Sequence, residues 1–267
     1  MAYTPHPPVI VPEVGRGRER EALSTVEAMR ALSDLLFGIS PAKVLLLSTP
    51  HHVMRRDRLE VISGDSLEGD LSDFWAPQVK VKLRGDGELA SSLARKLREA
   101  GLPVGLSLAK TIPLDHGSVV PLSYLLSPYS RSDLPRALIL SPGFCPLNAI
   151  LEAGKVAFDL LDSLEEPVGM VISGDLSHRL TPDAPAGFNP RAKEFDEAFV
   201  EALSSLDPRP LLELDPSFVE MAGECGLRPS MILFGAASVK PFRSRILSYE
   251  GPFGVGYCVA AVEPAVL

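Results

Sequence analysis

Short apolar runs that end in turn residues alternate with helical patterns along the chain, and this alternation constrains the fold more than any other feature. The run at residues 44–47 is continuously apolar and leads directly into a Ser-Thr-Pro-His-His segment. The run at residues 168–173 leads into Gly-Asp-Leu-Ser-His, and a helical stripe at residues 149–164 precedes it. Strands that alternate with helices predict an α/β fold, with a layered sheet core and helices on both faces.

The remaining elements fit the same architecture. Apolar spacing predicts helices, some of which end at glycines, and continuous or alternating apolar runs predict further strands. The predicted helices are 18–37, 88–100 and 191–203, and the predicted strands are 79–83, 137–140, 246–249 and 257–262, with a turn at 251–254. The chain has no Gly/Ser-rich linker, repeat or low-complexity tract. We therefore expect a single domain over residues 1–267.

The composition is that of an ordinary globular protein, because 46% of the 267 residues are hydrophobic and 22% are charged. The formal net charge is −8, and Lys and Arg gather in no single stretch, which argues against nucleic acid as a partner. Neither a signal peptide nor a membrane span is expected, since no apolar window of about 20 residues occurs. Three scattered cysteines predict no disulfide framework, so a cytoplasmic location is expected.

Only five histidines occur, and their placement is the most informative feature for function. His51 and His52 follow the first of the two apolar runs described above, and His178 follows the second. His6 lies in Pro-His-Pro-Pro, and His116 lies in Asp-His-Gly. Open α/β sheets bind ligands beyond the carboxyl ends of their strands, where loops carry functional side chains. Any one of these histidines can equally be a surface or capping residue, but the set predicts a site.

The residue types predict a metal site. Two neutral imidazoles and one anionic side chain give a divalent metal three protein ligands and leave coordination positions open. This arrangement is typical of non-haem Fe(II) oxygenases, in which substrate and dioxygen take the open positions. Histidines outside the ligand set can move protons, because imidazole titrates near neutral pH. We therefore expect one metal ion held by two histidines and one acidic or thiolate ligand.

Taken together, the motifs resemble a known family. Pro-His-Pro-Pro, Thr-Pro-His-His, Asp-His-Gly and Ser-Gly-Asp-Leu-Ser-His occur in the order found in class III extradiol ring-cleavage dioxygenases of the catalytic B-subunit type. The same set, with Glu-Cys-Gly-Leu-Arg-Pro at 224–229, also resembles the related Memo proteins. Each motif is short and weak alone, but five in order along nearly the whole chain are fairly specific.

The resemblance implies a set of metal ligands. His6 and His51 match the two metal-binding histidines of the family, and His52 replaces His51 if the loop turns differently. The third ligand of the dioxygenases is a glutamate near the C-terminus, which points to Glu224. In the Memo proteins a cysteine takes that place, and here it is Cys225.

The resemblance also implies the acid–base residues. His116 and His178 match the proton-transfer histidines of the family, with His178 as the base for the substrate. Asp115 and Asp175 are candidates for orienting these imidazoles, as carboxylates often do. The alternative for both aspartates is capping of a helix or a turn.

Two functions follow from the resemblance. The first is Fe(II)-dependent extradiol cleavage of a catechol-like aromatic diol with dioxygen, with zinc or copper as the alternative metals. It implies a small aromatic substrate, and either a small second subunit or a homo-oligomer as partner. The second is a Memo-like metal-binding protein with a redox or protein-interaction role and no ring cleavage. A zinc hydrolase is a weaker third reading, because no HExxH-type pair of histidines is present.

Overall fold

All the β-strands described below belong to one sheet. The structure is a computed structural model that describes residues 1–38, 41–130 and 133–265. Its strands are β1 (Ala2–Thr4), β2 (Val44–Ser48), β3 (Leu59–Leu71), β4 (Ala76–Gly85), β5 (Val104–Pro113), β6 (Arg136–Ser141), β7 (Val168–Ser173), β8 (Phe242–Glu250) and β9 (Tyr257–Pro264). They lie in the order β5-β3-β4-β6-β2-β7-β1-β9-β8. The four central strands β6, β2, β7 and β1 are parallel, so their carboxyl ends share one edge of the sheet.

Helices cover both faces of this sheet. The α-helices of the described residues are α1 (Pro12–Gly15), α2 (Leu23–Phe37), α3 (Gly87–Glu99), α4 (His116–Leu125), α5 (Leu147–Asp162), α6 (Ala192–Ser205), α7 (Arg209–Leu212), α8 (Pro216–Ala222) and α9 (Leu227–Ala237). Helices α2 and α4 contribute to the core on one face, and α3, α5, α6 and α9 contribute to the core on the other. Among the described residues, each helix is too short or too polar to cross a lipid bilayer.

Strand β2 shows how the apolar runs specify this layering. Val44 and Leu46 pack into one core, and Leu45 and Leu47 pack into the other. Successive side chains of a strand point to opposite faces, so a strand covered on both sides must be apolar throughout. The predicted α/β fold, with a layered sheet and helices on both faces, is confirmed.

The predicted helix at 18–37 is wrong in its first turn. Arg18–Ala22 forms a 3₁₀ helix, and the α-helix begins only at Leu23, whose side chain is 50% exposed. No side chain caps the start of α2. Gly17, which precedes the 3₁₀ helix, has a left-handed φ of 106°. Short 3₁₀ turns are common at such helix ends. The other predicted helices and strands begin and end within a few residues of the observed ones.

A buried carboxylate holds the loop that follows β7. Asp196, on α6, accepts hydrogen bonds from the backbone N–H of Ser177 at 2.8 Å and from the hydroxyl of Tyr249 at 2.8 Å. Its side chain is inaccessible to solvent. Burial raises the pKa of the Asp196 carboxyl to about 7, because the charged form loses its hydration. The segment from Gly174 to His178 is therefore tied to the core through a titrating group.

We expect Asp196→Asn to stabilise the protein relative to the wild type as the pH rises. Between the ordinary pKa near 4 and about 7, the unfolded chain releases the proton while the folded chain keeps it, so rising pH costs stability. Asparagine does not titrate and can keep both hydrogen bonds. The difference in unfolding free energy should shift in its favour by about 2–3 kcal/mol between pH 5 and pH 8. Denaturant unfolding at both pH values measures this, with Asp183→Asn on the exposed loop as control. An unchanged difference would contradict it.

Candidate metal centre

The parallel strands deliver the candidate residues to one edge of the sheet. Thr4 at the end of β1 is paired with Ser173 at the end of β7, and Ser48 of β2 is paired with Ile172. His6, His51 and Asp175 each follow one of these ends by two or three residues. Because the carboxyl ends of neighbouring parallel strands lie side by side, their loops converge.

His6 is the fixed point of the site. Its ring is buried, its backbone N–H donates to Asp175 Oδ1 at 2.9 Å, and its Nδ1 lies 2.6 Å from Ser173 Oγ. These contacts fix the backbone and one ring nitrogen, so the Nε2 atom is directed away from them. Ser173 was not singled out in the sequence, although its place at the end of an apolar run was the available signal.

His51 faces His6 and His52 does not. The Nε2 atoms of His6 and His51 lie 3.0 Å apart. The ring of His52 is buried on the other side of the loop, where its Nε2 lies 3.0 Å from Ser118 Oγ. Of the two neighbouring histidines, His51 is the one that faces His6.

His116 begins α4 and joins the same group. One ring nitrogen from each of His6, His51 and His116 can be chosen so that all three lie within 4.8 Å of one another. The His51 and His116 ring centroids are 4.4 Å apart, and the Phe74 ring contacts His116 at 5.4 Å. His116 therefore lies within ligand distance of His6 and His51. Phe74 was not identified from the sequence, where no motif marks it.

Cys225 also lies close to His6. Its Sγ lies 3.7 Å from His6 Nε2, and Asp175 Oδ2 lies 3.9 Å from the same nitrogen. His6, Asp175 and Cys225 form a second group of ligand atoms within 4.8 Å of one another. The backbone N–H of Asp175 donates to the sulfur at 3.2 Å. The sequence predicts only an orienting role for Asp175, but its carboxylate also lies within ligand distance of His6 and Cys225.

The Glu224 side chain has another partner. Its Oε2 accepts a hydrogen bond of 2.6 Å from the backbone N–H of Leu227, in the first turn of α9. A carboxylate in this position satisfies free amides and interacts favourably with the helix dipole. Burial raises the pKa of Glu224 to about 7. Of the two candidates for the third ligand, Cys225 is the one beside His6.

His178 lies at the rim of the same centre. Its Nε2 is 4.0 Å from Asp175 Oδ2, and its Nδ1 contacts the carbonyl oxygen of Gly223. A carbonyl oxygen only accepts hydrogen bonds, so Nδ1 carries the proton and Nε2 holds a free lone pair in the neutral ring. That tautomer suits a general base directed toward the centre.

The distances of His51 and Cys225 from His6, taken one pair at a time, are those of ligands on a metal ion. Two nitrogen donors with bonds of about 2.1 Å stand roughly 3 Å apart when the bonds meet at about 90°. A nitrogen and a sulfur donor on one ion stand roughly 3.6 Å apart at a tetrahedral angle. The separations of 3.0 Å for His6–His51 and 3.7 Å for His6–Cys225 match these values. Each pair therefore fits a metal ion bound through His6 Nε2, and His6 is shared by the group with His51 and His116 and the group with Asp175 and Cys225.

The protonation states of the centre depend on its burial. Burial, followed by the neighbouring imidazoles, lowers the pKa of His6 and of His51, which keeps their rings neutral and able to bind metal. Burial raises the pKa of Asp175 and, well above its usual range, that of the Cys225 thiol. A bound cation favours the ionised forms of these two groups. Without a cation, burial therefore favours the protonated forms of Asp175 and Cys225.

The central strands of the sheet are parallel, and histidine, aspartate and cysteine side chains meet at their carboxyl edge. This protein is therefore an α/β protein with a candidate metal centre. Over residues 1–260 the chain matches the family described as the catalytic LigB subunit of aromatic ring-opening dioxygenase. It belongs to this family, whose dioxygenases depend on a metal.

Similar proteins extend this assignment. The chain is 33% identical over 266 residues to Protein CA_C1420 of Clostridium acetobutylicum. The aligned region covers 97% of this chain and 56% of that protein. It thus spans about half the length of this curated relative. The crystal structure of the uncharacterized protein JW3007 from Escherichia coli K12 is similar with a TM-score of 0.60 and 21% identity, over 89% of this chain and 92% of that one. This second similarity shows a shared fold.

Proposed function

We propose that this protein is a non-haem, metal-dependent oxidoreductase that cleaves a catechol-like aromatic diol beside its two hydroxyl groups, using dioxygen. The observation that carries the proposal is the 3.0 Å approach of His6 Nε2 and His51 Nε2, with His116 and His178 at the same edge. Two converging neutral imidazoles with an anionic neighbour are the ligand set that leaves positions open for a diol and dioxygen. Fe(II) is the proposed metal, which would supply those positions when bound.

The chain's own residues would move the protons. His178 Nε2, with its lone pair free, takes a proton from one diol hydroxyl, while Nδ1–H remains bonded to the Gly223 carbonyl. His116, which lies beside His51 and against Phe74, is the group that would return a proton to the oxygen atoms derived from dioxygen. Both oxygen atoms of dioxygen enter the product, and the carbon–carbon bond next to the diol breaks. The ring of Phe74 provides an apolar wall that limits water at His116.

Oxygen consumption by the iron-loaded protein tests this function. The purified chain, loaded anaerobically with Fe(II), is mixed with a panel of catechols in oxygenated buffer. We expect one dioxygen consumed for each diol, together with the absorbance of a ring-opened product. The His6→Ala protein, which lacks the central ligand, is the matched control. If dioxygen uptake and product formation do not exceed the control for any catechol, ring cleavage is excluded as the function.

A second candidate function rests on the thiol. Cys225 lies beside His6, whereas Glu224 bonds to the first turn of α9. A thiolate ligand is soft and favours zinc or copper over Fe(II), and it is readily oxidised beside activated oxygen. This geometry supports a Memo-like protein that binds a metal in a redox or protein-interaction role. Tight zinc or copper binding without catechol-dependent oxygen uptake is the result that favours it.

The proposal has three further parts. The chain acts as one domain over residues 1–267, supported by the single sheet that joins its described strands. It works in the cytoplasm, supported by its free cysteines. It assembles with a small second subunit or with a second copy of itself. Mass measurement of the purified protein distinguishes a monomer from a homo-oligomer.

A further inference from the structure

A trio of polar side chains lies beside the candidate metal centre. It consists of Asp115, His52 and Ser118, and we call it the His52 trio. His52 Nε2 lies 3.0 Å from Ser118 Oγ, and His52 Nδ1 lies 3.7 Å from Asp115 Oδ2. The Asp115 Oδ1 atom accepts from the backbone N–H of Ser118 at 3.0 Å and caps α4. Two loops are therefore joined through one imidazole.

The hydrogen-bond directions in the trio follow from its chemistry. A neutral imidazole has one donor and one acceptor nitrogen. When Ser118 donates to Nε2, the proton resides on Nδ1 and points to Asp115 Oδ2. That oxygen is buried without a hydrogen-bond partner, and His52 Nδ1 faces it at 3.7 Å. One hydrogen bond thus joins His52 to Ser118, and one electrostatic contact at 3.7 Å joins His52 to Asp115.

Each side of the trio is covalently attached to a histidine of the metal centre. His51 immediately precedes His52, and His116 immediately follows Asp115. The two loops also pack without space between them, because a Cβ atom at Gly117 would lie 2.3 Å from Thr49 Oγ1 and 3.1 Å from His51 Cδ2. The position of His51 relative to α4 is consequently set by contacts that do not involve the metal.

We propose that the His52 trio is a positioning device that fixes the separation of His51 from His116 before any metal binds. His52, Ser118 and Asp115 are positioning residues in this proposal, and Ser118 is itself too buried to act as a nucleophile. The importance of the trio for metal affinity rests on the proposed function. The effect of the trio on the loop that carries His51 is independent of the proposed function.

Two variants and one control test the device. Ser118→Ala removes the donor to His52, and Asp115→Asn keeps the helix cap but replaces the carboxylate that faces Nδ1. Ser123→Ala is the matched control, since Ser123 lies on the same helix and bonds only to the Val120 carbonyl in the structure. Hydrogen–deuterium exchange of residues 49–53 is measured in the metal-free proteins, and zinc affinity is measured by competition with a chromogenic chelator.

We expect faster exchange of residues 49–53 in Ser118→Ala and in Asp115→Asn, with the wild-type rate in Ser123→Ala. Zinc binding should weaken by about 10- to 100-fold in the two trio variants, as for other partners outside a ligand set. Unchanged exchange in both trio variants overturns the proposal, and so does faster exchange with unchanged zinc affinity. If the wild type itself binds no zinc or Fe(II), the proposed function fails, and the exchange measurement alone decides on the trio.

Discussion

Replacement of His178 by alanine is expected to lower turnover of a catechol by about 10²–10⁴-fold while the metal stays bound, as for a lost acid–base group. The reason is its tautomer, since the Gly223 carbonyl holds the proton on Nδ1 and leaves Nε2 to accept one from the substrate. Steady-state oxygen uptake gives turnover, and metal analysis of the same samples gives occupancy. Asp183→Ala, on the exposed part of the same loop, should match the wild type in both.

The metal content of the variant decides which role His178 has. A His178→Ala protein that loses its metal contradicts the assignment as a base and makes His178 a ligand. His116→Ala needs the same pair of measurements, because His116 lies within ligand distance of His6 and His51. Metal retained with turnover lost identifies His116 as a proton-transfer group, and metal lost identifies it as a ligand.

Replacement of Cys225 by serine is expected to weaken metal binding by more than about 100-fold, which exceeds the cost of losing a partner outside the ligand set. The thiol lies 3.7 Å from His6 Nε2, and a serine hydroxyl is a poorer ligand than a thiolate for a borderline or soft metal. Glu224→Ala should keep the metal and instead destabilise the protein by about 1 kcal/mol, because it removes the cap of α9. Chelator competition and thermal unfolding measure the two effects.

Loss of metal from Glu224→Ala, with full metal in Cys225→Ser, would overturn this assignment and favour a carboxylate-bound Fe(II). An Asp175→Asn variant completes the set, because the Asp175 carboxylate lies 3.9 Å from the same nitrogen of His6. If only this variant loses its metal, Asp175 is the anionic ligand.

The sequence predicted β2, β6 and β7 of the central parallel strands, together with β4 and the β8–β9 pair, but not β1, β3 or β5. Strands β2 and β7 are continuously apolar because both faces are covered, so their limits were visible. Strand β3 contains Gly64 and Gly69, each packed against the backbone of a neighbouring segment, and these glycines interrupt its pattern. Strand β5 lies at the edge of the sheet, where Leu108 is 52% exposed and polar residues mix with apolar ones. Neither has the regular alternation that reveals a half-buried strand.

The site was predictable as far as local motifs reach. His6, His51, His116 and His178 follow turns or strand ends, and the structure brings them to one edge of the sheet. The choice between Glu224 and its neighbour was not readable, because it depends on where α9 begins and on which free amides need an acceptor. The contacts of Ser173 with His6, and of Phe74 with His116, join segments far apart in the chain. Such pairings leave no mark in a local motif.

The donor atoms of the centre come from opposite ends of the described chain. His6 and Cys225 are 219 positions apart, and β1, which leads to His6, is held between β7 and β9. Contacts between such distant segments form late, because closing a long loop costs entropy before any contact offsets it. A chain still emerging from the ribosome therefore lacks the cysteine side of the centre until most of the sheet has assembled. A metal ion held by both His6 and Cys225 would accordingly report that these two distant segments have come together.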